Sequence, residues 1–224
     1  MNETIKIKGI SKRNGLTFVV VSVVMLSFVI LLSGIGTLAK IPTYFLVLLS
    51  LVGIFVGTVK LREPEFSLIL DRKGIRYMHA RGSWLVPWCD IQRVDVPTVD
   101  LGLDKKQLPY VALRLKSQIY LLDNISPRLA SFLVIEQREI AIAALKQDFE
   151  NWQCADGTCP SEVLYRFDDY KTEDKVYKGL LAMLGHRVKV LREKLGYDIY
   201  IPASALDREP TEFVGLLRRL QASV

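Results

Sequence analysis

The stretch Gly36–Phe45, "GTLAKIPTYF", lies within a long apolar tract and contains its only charged residue, Lys40. The segments on either side, Leu16–Ala39 and Ile41–Val59, carry no charge. As a helix, each is long enough to cross the hydrocarbon core of a bilayer, which is about 30 Å thick. One helix through both would be about twice too long, so the chain must turn back. Because proline is tolerated in the first turn of a helix, Lys40 and Pro42 predict the tip of a transmembrane hairpin.

Two other interpretations of this tract fit less well. Lys12 and Arg13 followed by apolar residues look like the start of a signal peptide. The apolar core of a signal peptide has only about 7–15 residues, however, and no second span follows it directly. A pair of buried helices in a soluble protein would show a polar face, which neither segment has. We therefore expect two spans, at about residues 16–39 and 41–59.

Basic residues set the expected orientation of the hairpin. Its tip has only Lys40, whereas both flanks are rich in lysine and arginine. Because basic flanks stay on the cytoplasmic side of a membrane, we expect both termini and residues 63–224 in the cytoplasm. The flanking basic residues are Lys6, Lys8, Lys12 and Arg13 before the first span, and Lys60 and Arg62 after the second.

The net charge of +6 does not by itself indicate a nucleic-acid-binding protein. Such proteins present a concentrated basic face, whereas residues 60–224 hold 25 basic and 23 acidic side chains. The three cysteines, Cys89, Cys154 and Cys159, are too few for a disulfide framework and fit a reducing compartment. Composition therefore favours a membrane protein with a nearly neutral domain, and we expect no nucleic-acid partner.

The residues after the hairpin form a separate predicted domain. Short apolar segments alternate with polar residues and are separated by turns such as Asp71–Gly74, which indicates an antiparallel meander. Such a meander closes into a small barrel or sandwich. The predicted strands are Phe66–Leu70, Ile75–His79, Trp84–Trp88, Ile91–Val96, Tyr110–Lys116, Ile119–Leu122 and, near the C-terminus, Tyr197–Ile201.

Helices are predicted between and after these strands. Ser126 followed by proline is typical of a helix start, and this helix is expected to run to about Phe149. Apolar residues at steps of three and four predict a second helix over Thr172–Leu195. A final short helix is expected from Pro210 onward. The predicted organisation is a cytoplasmic tail with a transmembrane hairpin over residues 1–62, followed by an α+β domain over residues 63–224.

Several longer segments of the sequence resemble a known group of membrane proteins. "LILDRKGIRYMHARGSWLVPWCDIQRV" at residues 68–94 and "YDIYIP" at residues 197–202 are similar to the bacterial pleckstrin-homology-like membrane proteins. In that group a Trp-x-(Asp/Glu)-Ile step follows a glycine-turn hairpin, and here the step is Trp88–Ile91. With "ISPRLASFLVIEQR" and "AMLGHRVKVLREKLGYDIYIPASALDR", nearly the whole chain resembles one bacterial family of two-span inner-membrane proteins of unknown function.

The resemblance implies a fold and a location but no reaction. The implied fold is a pleckstrin-homology-like antiparallel sheet or barrel that is capped by the C-terminal helix. Residues at about 127–195 would form a helical insertion, which is longer than the plain pattern needs. The implied location is the inner membrane of a bacterium.

Basic residues near the first predicted hairpin of the sheet are the candidate binding residues. In pleckstrin-homology domains this hairpin often contacts headgroup phosphates, so the resemblance implies a lipid contact here. Each basic residue near an anionic surface contributes about 1 kcal/mol. The alternative is that these side chains only solvate turns. The candidates are Lys60 and Arg62 at the membrane exit, and Arg72, Lys73, Arg76 and Arg81 on the hairpin.

Cys154 and Cys159 form a second candidate site, in a predicted loop that contains a glycine. Two thiols at this spacing are compatible with reversible oxidation. A structural zinc site needs four ligands, and the remaining Cys89, His79 and His186 do not follow a matching spacing. Cys154 and Cys159 are therefore a candidate thiol pair, and we expect no metal site here.

No motif for catalysis or cofactor binding occurs in the sequence, whether a phosphate loop, a dinucleotide loop, a nucleophile elbow or His-Glu-x-x-His. We therefore expect no catalytic residue and no cofactor. The leading hypothesis is a non-enzymatic inner-membrane protein that presents its cytoplasmic domain to membrane lipid or to a membrane protein partner, including a second copy of the chain. The alternative is a thiol-dependent redox component built on Cys154 and Cys159.

Overall fold

A computed structural model describes residues 4–9, 15–34, 40–62, 64–101, 104–146, 166–172 and 174–223. These residues fold as two compact units. The helical unit lies within Gly9–Glu65, and the sheet unit combines the described part of Met1–Lys8 with that of Phe66–Val224. The N-terminal segment therefore folds with residues that follow the apolar tract, although that tract separates them in the sequence.

The helical unit consists of the two predicted apolar helices, α1 (Gly15–Gly34) and α2 (Lys40–Leu61). Each is long and apolar enough to span a membrane. Pro42 falls in the first turn of α2, where its missing N–H leaves no hydrogen bond unmade. The predicted tip includes residues 35–39, which lie outside the described part of the chain.

Small residues form the contact between the two helices. A Cβ added at Gly57 would lie 2.5 Å from Val19 Cγ2, and one added at Gly53 would lie 2.2 Å from Ser22 Oγ. Gly15, at the start of α1, is likewise close to the last turn of α2. The helices therefore run antiparallel, and glycine lets their backbones approach closely.

Most large apolar side chains of the helical unit are exposed. Ile41 is 84% exposed, Phe55 is 69% exposed and Phe28 is 60% exposed. The hydroxyl groups of Ser27 and Ser50 each donate a hydrogen bond to a carbonyl one turn earlier in the same helix. The surface of this unit is therefore apolar, and these two hydroxyls need no water to satisfy them.

The sheet unit is built from short antiparallel strands and from helices. In chain order its strands are β1 (Ile5–Ile7), β2 (Leu68–Leu70), β3 (Gly74–His79), β4 (Gly82–Pro87), β5 (Ile91–Asp95), β6 (Thr98–Leu101), β7 (Asp104–Gln107), β8 (Tyr110–Leu115), β9 (Tyr170–Lys171), β10 (Val176–Tyr177) and β11 (Ile199–Pro202). Its helices are α3 (Ile119–Asn124), α4 (Pro127–Glu136), α5 (Arg138–Lys146), α6 (Leu180–Leu195) and α7 (Pro210–Ala222).

Four strands form the first sheet, in the order β1-β2-β3-β4. The turn between β2 and β3 is held by Asp71, whose Oδ1 accepts hydrogen bonds from the N–H groups of Lys73 (2.8 Å) and Gly74 (3.0 Å). Strand β1 was not expected from the sequence. It adds Ile7, which is 1% exposed, opposite Leu68. The sheet is therefore completed by residues that precede the apolar helices.

A second sheet contains three strands in the order β11-β8-β5. Among the described strands, no pairing joins this sheet to the first one, and β6–β7 and β9–β10 pair only with each other. Of the predicted alternatives, a barrel or a sandwich, the described strands therefore do not form a closed barrel. At the end of β4, Pro87 is followed by the 3₁₀ turn Trp88–Asp90, after which the chain enters the second sheet at β5.

One predicted strand is wrong, and one predicted helix is divided. The segment Ile119–Leu122 belongs to helix α3, because a short apolar run does not reveal whether it is a strand or a helix. Ser126 caps the following helix as expected, since its Oγ accepts a hydrogen bond from Leu129 N at 3.3 Å. That helix ends at Glu136, however, and α5 begins after Gln137.

The helix predicted over Thr172–Leu195 is shorter than expected. It begins only at Leu180, because the residues before it pair as the hairpin β9–β10 and Gly179 adopts a φ of 60°. Its end is as expected, with Gly196 in the left-handed region at a φ of 85°. The implied helical insertion at about 127–195 therefore includes α4, α5 and α6 but also a small hairpin, and residues 147–165 lie outside the described part.

Both sheets contribute to one hydrophobic core. The inner face of the first sheet supplies residues such as Leu68 and Trp84, the second sheet supplies Leu113, and α7 supplies Phe213 and Leu217. The outer face of the first sheet therefore points away from this core, on the opposite side from α7.

Candidate functional site

The predicted basic residues of the first hairpin do not converge on one point. Arg72 and Lys73 lie in the turn before β3, and Arg81 lies in the turn after it. A six-residue strand is about 20 Å long, so these turns are too far apart to hold one headgroup phosphate together. Arg76 is exposed in the middle of β3. Lys60 and Arg62 belong to the helical unit, at and just beyond the last residues of α2.

Arg81 packs against α4. Its guanidinium carbon lies 4.9 Å from the centroid of the Phe132 ring, and its carbonyl accepts a hydrogen bond from Ser126 Oγ at 3.2 Å. The Phe132 ring in turn stacks on His79, with centroids 4.4 Å apart. The contacts of Arg81 are thus those of a residue that joins the β3–β4 turn to the start of a helix.

The outer face of the first sheet instead carries a row of basic and apolar side chains. Lys6 on β1 is opposite Ile69 on β2, Ile69 is opposite Arg76 on β3, and Arg76 is opposite Leu85 on β4. Lys6 and Arg76 are exposed, whereas Ile69 and Leu85 are half-buried. Lys8 lies next to this row, because its Nζ and that of Lys6 both lie over the ring of Phe66.

We refer to this surface as the outer sheet face. It comprises Lys6, Lys8, Phe66, Ile69, Arg76, Met78, Ser83 and Leu85. The four strands contain no acidic residue. Of this set, only Arg76 is among the candidate binding residues that the sequence predicts. The missed signal was the alternation Ile5-Lys6-Ile7-Lys8, which has the two-residue period of a strand but is too short to stand out.

A second polar cluster is buried around Asp198, which precedes β11. Its Oδ2 accepts a hydrogen bond from Leu115 N at 2.8 Å, and its Oδ1 accepts one from Gln118 Nε2 at 2.9 Å. Arg192 Nε lies 3.0 Å from Asp198 Oδ1, and Tyr170 OH donates to Gln118 Oε1 at 2.7 Å. Burial raises the pKa of Asp198, although these donors and Arg192 oppose the rise.

The contacts of the Asp198 cluster hold several elements of the sheet unit together. They connect the end of β8, helix α6, the hairpin β9–β10 and the start of β11. Arg192 also donates to the carbonyl of Leu115. Nearly every donor and acceptor of the cluster is therefore directed at another part of the fold.

A third cluster surrounds Asp95 at the end of β5. Its carboxylate pairs with Arg93 and with Arg218 of α7, and Tyr197 OH donates to Oδ2 at 2.9 Å. Burial and this hydrogen bond raise the pKa of Tyr197 to about 12. Arg218 also donates to the carbonyl of Val94. The cluster fixes α7 on the second sheet.

The cysteines give no described thiol pair. Cys89 is exposed and free in the turn that follows β4. Cys154 and Cys159 lie outside the described residues, so the predicted pair stays a prediction. Within the described ranges, no group of three or more histidine, cysteine or acidic side chains is placed to hold a metal ion.

Comparison with models of protein families gives a match over most of the sheet unit. The model of a family described as "protein of unknown function (DUF2982)" matches residues 68–223. The match begins at β2 and covers the sheet unit apart from its first strand. No curated protein and no solved structure matches the chain. Since the family model covers well over half of the sequence, the chain belongs to the DUF2982 family of proteins of unknown function.

Proposed function

We propose that this protein is a non-enzymatic, two-span protein of a bacterial inner membrane, in which the hairpin α1–α2 holds the sheet unit at the cytoplasmic surface. The sheet unit would act there by contact with membrane lipid or with a membrane protein partner, including a second copy of the chain. The anchor would contribute by raising the local concentration of the sheet unit at the membrane.

The pairing of β1 with β2 carries the proposal. These strands flank the two apolar helices in the sequence and are hydrogen-bonded neighbours in one sheet. A chain that leaves a folded unit and returns to it crosses a bilayer an even number of times. The pairing thus supports two crossings with both flanks of the hairpin on the same side.

The surface of the helical unit supports insertion into lipid. Its exposed apolar residues would be costly in water but suit the hydrocarbon core, where a helix satisfies its own backbone groups. The interhelical contact through Gly53 and Gly57 is also of the small-residue type that membrane helices use. The basic flanks favour the cytoplasmic side for both ends.

The arrangement of the sheet unit supports a pleckstrin-homology-like interpretation without a closed barrel. It has antiparallel sheets of four and three strands, and its C-terminal helix α7 packs against β5 and β8. The contacts of the Asp95 and Asp198 clusters fit structural roles, which is why we propose binding and placement as the function.

The proposal is tested by removing the helical unit while keeping β1. Residues 9–65 are replaced by a short glycine-rich linker that joins Lys8 to Phe66, which is feasible because Ile7 and Leu68 are cross-strand partners. We expect the full chain to sediment with membranes and the linker variant to remain in the supernatant with native tryptophan fluorescence. A linker variant that sediments with membranes as fully as the intact chain would show that the helices are not the anchor.

A further inference from the structure

We infer that the outer sheet face binds the anionic headgroups of the bilayer in which the hairpin is anchored. This inference rests on the proposed function, because it takes the helical unit to be embedded in lipid. It goes beyond that function by assigning a surface and a ligand chemistry. The basic residues of this surface, Lys6, Lys8 and Arg76, share only Arg76 with the residues predicted from the sequence.

The three basic residues of this face are close together. Adjacent strands are about 4.8 Å apart, so Lys6 and Arg76, which are separated by one strand, have backbones about 10 Å apart. The Nζ atoms of Lys6 and Lys8 lie 5.1 and 5.3 Å from the centroid of the Phe66 ring. One aromatic ring therefore holds two ammonium groups at the same part of the surface.

The apolar residues of the face suit the membrane interface. Ile69, Met78 and Leu85 are half-buried, so each still offers part of its side chain outward. Phe66 is also half-buried and carries its two lysines over the ring. A surface that mixes basic groups with aromatic and aliphatic side chains binds at the boundary between headgroups and acyl chains.

Charge complementarity favours an anionic ligand. Several exposed basic residues elsewhere in the sheet unit are paired, such as Lys175 with Asp123 at 2.5 Å and Arg208 with Asp207 at 2.8 Å. In the part of the chain that the structure covers, no ion pair involves Lys6 or Arg76. These two charges are therefore available to an external anion.

The lengths of the connecting segments favour lipid over other anionic partners. Residues 8–14 lead from β1 to α1, and residues 62–67 lead from α2 to β2. Even fully extended, each segment reaches at most about 25 Å. The two strands that continue into these segments, β1 and β2, supply Lys6 and Ile69 to the outer sheet face. A second copy of the chain would instead bring two basic faces together, which like charges disfavour.

The test measures how close the outer sheet face comes to headgroups in the full chain. In a background with all three cysteines replaced by serine, a fluorescent donor is attached at Ser83→Cys on the outer sheet face. A second protein carries the donor at Thr211→Cys, which is exposed at the start of α7 across the core. Both are reconstituted in vesicles of phosphatidylcholine with or without phosphatidylglycerol, with an acceptor on the lipid headgroup.

Charge-changing variants identify the residues responsible. Lys6→Glu, Lys8→Glu and Arg76→Glu are combined in one protein. The matched control combines Lys171→Glu, Lys178→Glu and Lys189→Glu, which are exposed basic residues on β9, before α6 and on α6. Both triple variants change the net charge equally, so only the position of the charges differs.

We expect fluorescence energy transfer to the lipid acceptor to be greater from the donor at residue 83 than from the donor at residue 211. Transfer from residue 83 should rise with phosphatidylglycerol and fall when salt is added. The outer-face triple variant should lower the equilibrium constant for binding of the outer sheet face to anionic headgroups by roughly two orders of magnitude. The control variant should leave it unchanged. Equal energy transfer from both positions would overturn the inference. Transfer from residue 83 that does not change with lipid charge or salt would also overturn it. Self-quenching between donors at residue 83 in phosphatidylcholine alone would also overturn it, in favour of a second copy.

The anchor is scored separately in the same samples. Flotation of the protein with the vesicles reports on the helical unit, because it does not depend on the donor position. If the protein floats with the vesicles but energy transfer from residue 83 is no greater than from residue 211, the inference is rejected and the anchor is supported. Protein that fails to float with either type of vesicle would reject the proposed function itself, and with it the inference.

Discussion

The side chain of Asp198 has no exposed surface, yet it sits among donors that favour its charged form. Desolvation is the larger effect, so the pKa of Asp198 is raised. Two of its hydrogen-bond donors, Leu115 and Gln118, lie 83 and 80 residues away in the sequence. No local pattern around Asp198 indicated this cluster, because its members come from separate elements and meet only in the folded chain.

The raised pKa of Asp198 predicts a pH dependence of stability. The folded state binds this proton more tightly than the unfolded state does. The stabilising contribution is therefore complete below the ordinary pKa of aspartate and is lost as the pH rises through the folded-state pKa. In Asp198→Asn this titration is absent. We expect the free energy of unfolding of the variant to improve relative to the wild type as the pH rises from about 3 to 7.

Denaturant unfolding followed by tryptophan fluorescence measures this effect in the full chain. Trp84 and Trp88 are buried in the sheet unit, and α1 and α2 contain no tryptophan, so the signal reports on the sheet unit. Asp174→Asn, at an exposed position, serves as the control. If the wild type instead gained stability relative to Asp198→Asn as the pH rises, the raised pKa of Asp198 would be contradicted.

At the scale of elements, β1 changes the interpretation of the N-terminal segment. The sequence alone predicts only a cytoplasmic tail before the first span. The strand is only three residues long, and its partner follows the helical unit, with Ser67 hydrogen-bonded to a residue 60 positions earlier. Local periodicity cannot reveal a pairing of this kind. The tail is instead part of the fold of the sheet unit.

This role of β1 predicts a large loss of stability on truncation of Ile7. Its side chain is buried beside Leu68 in the main core. Replacing a buried isoleucine by alanine costs about 2–5 kcal/mol, so Ile7→Ala should lower the free energy of unfolding of the sheet unit by that amount. Thr4→Ala, at an exposed position next to the strand, should have little effect. Equal stability of Ile7→Ala and the wild type would mean that β1 does not pack as described.

Other elements differ in how clearly the sequence indicated them. The glycine turn at Asp71–Gly74, the cap at Ser126 and the stop at Gly196 act through their own local geometry, and each was predictable. Helix α3 was mistaken for a strand, because its six residues are too short to show a helical period. Among the described strands the two sheets are not hydrogen-bonded to each other, and the alternation of apolar residues within a strand does not predict which strands pair.

At the scale of the whole molecule, composition was the most reliable guide. The length of the uncharged tract predicts two long apolar helices, and in the described residues both lie close to the predicted spans. The candidate site was less predictable. Arg72, Lys73 and Arg81 are close to one another in the sequence. Lys6 and Arg76 are far apart in the sequence and share the outer sheet face only because β1, β2 and β3 pair.

The central claim is that the chain crosses a bilayer twice and leaves both ends on the same side. Single cysteines at Lys8, Thr37 and Ser223, in a background without native cysteines, report on the first flank, the tip and the C-terminal end. They are treated in intact cells with a thiol reagent that does not cross the inner membrane. We predict that Thr37→Cys is labelled directly and that Lys8→Cys and Ser223→Cys are labelled only after permeabilisation. Labelling of residue 8 or 223 from outside, or protection of residue 37 together with both ends, would contradict the account.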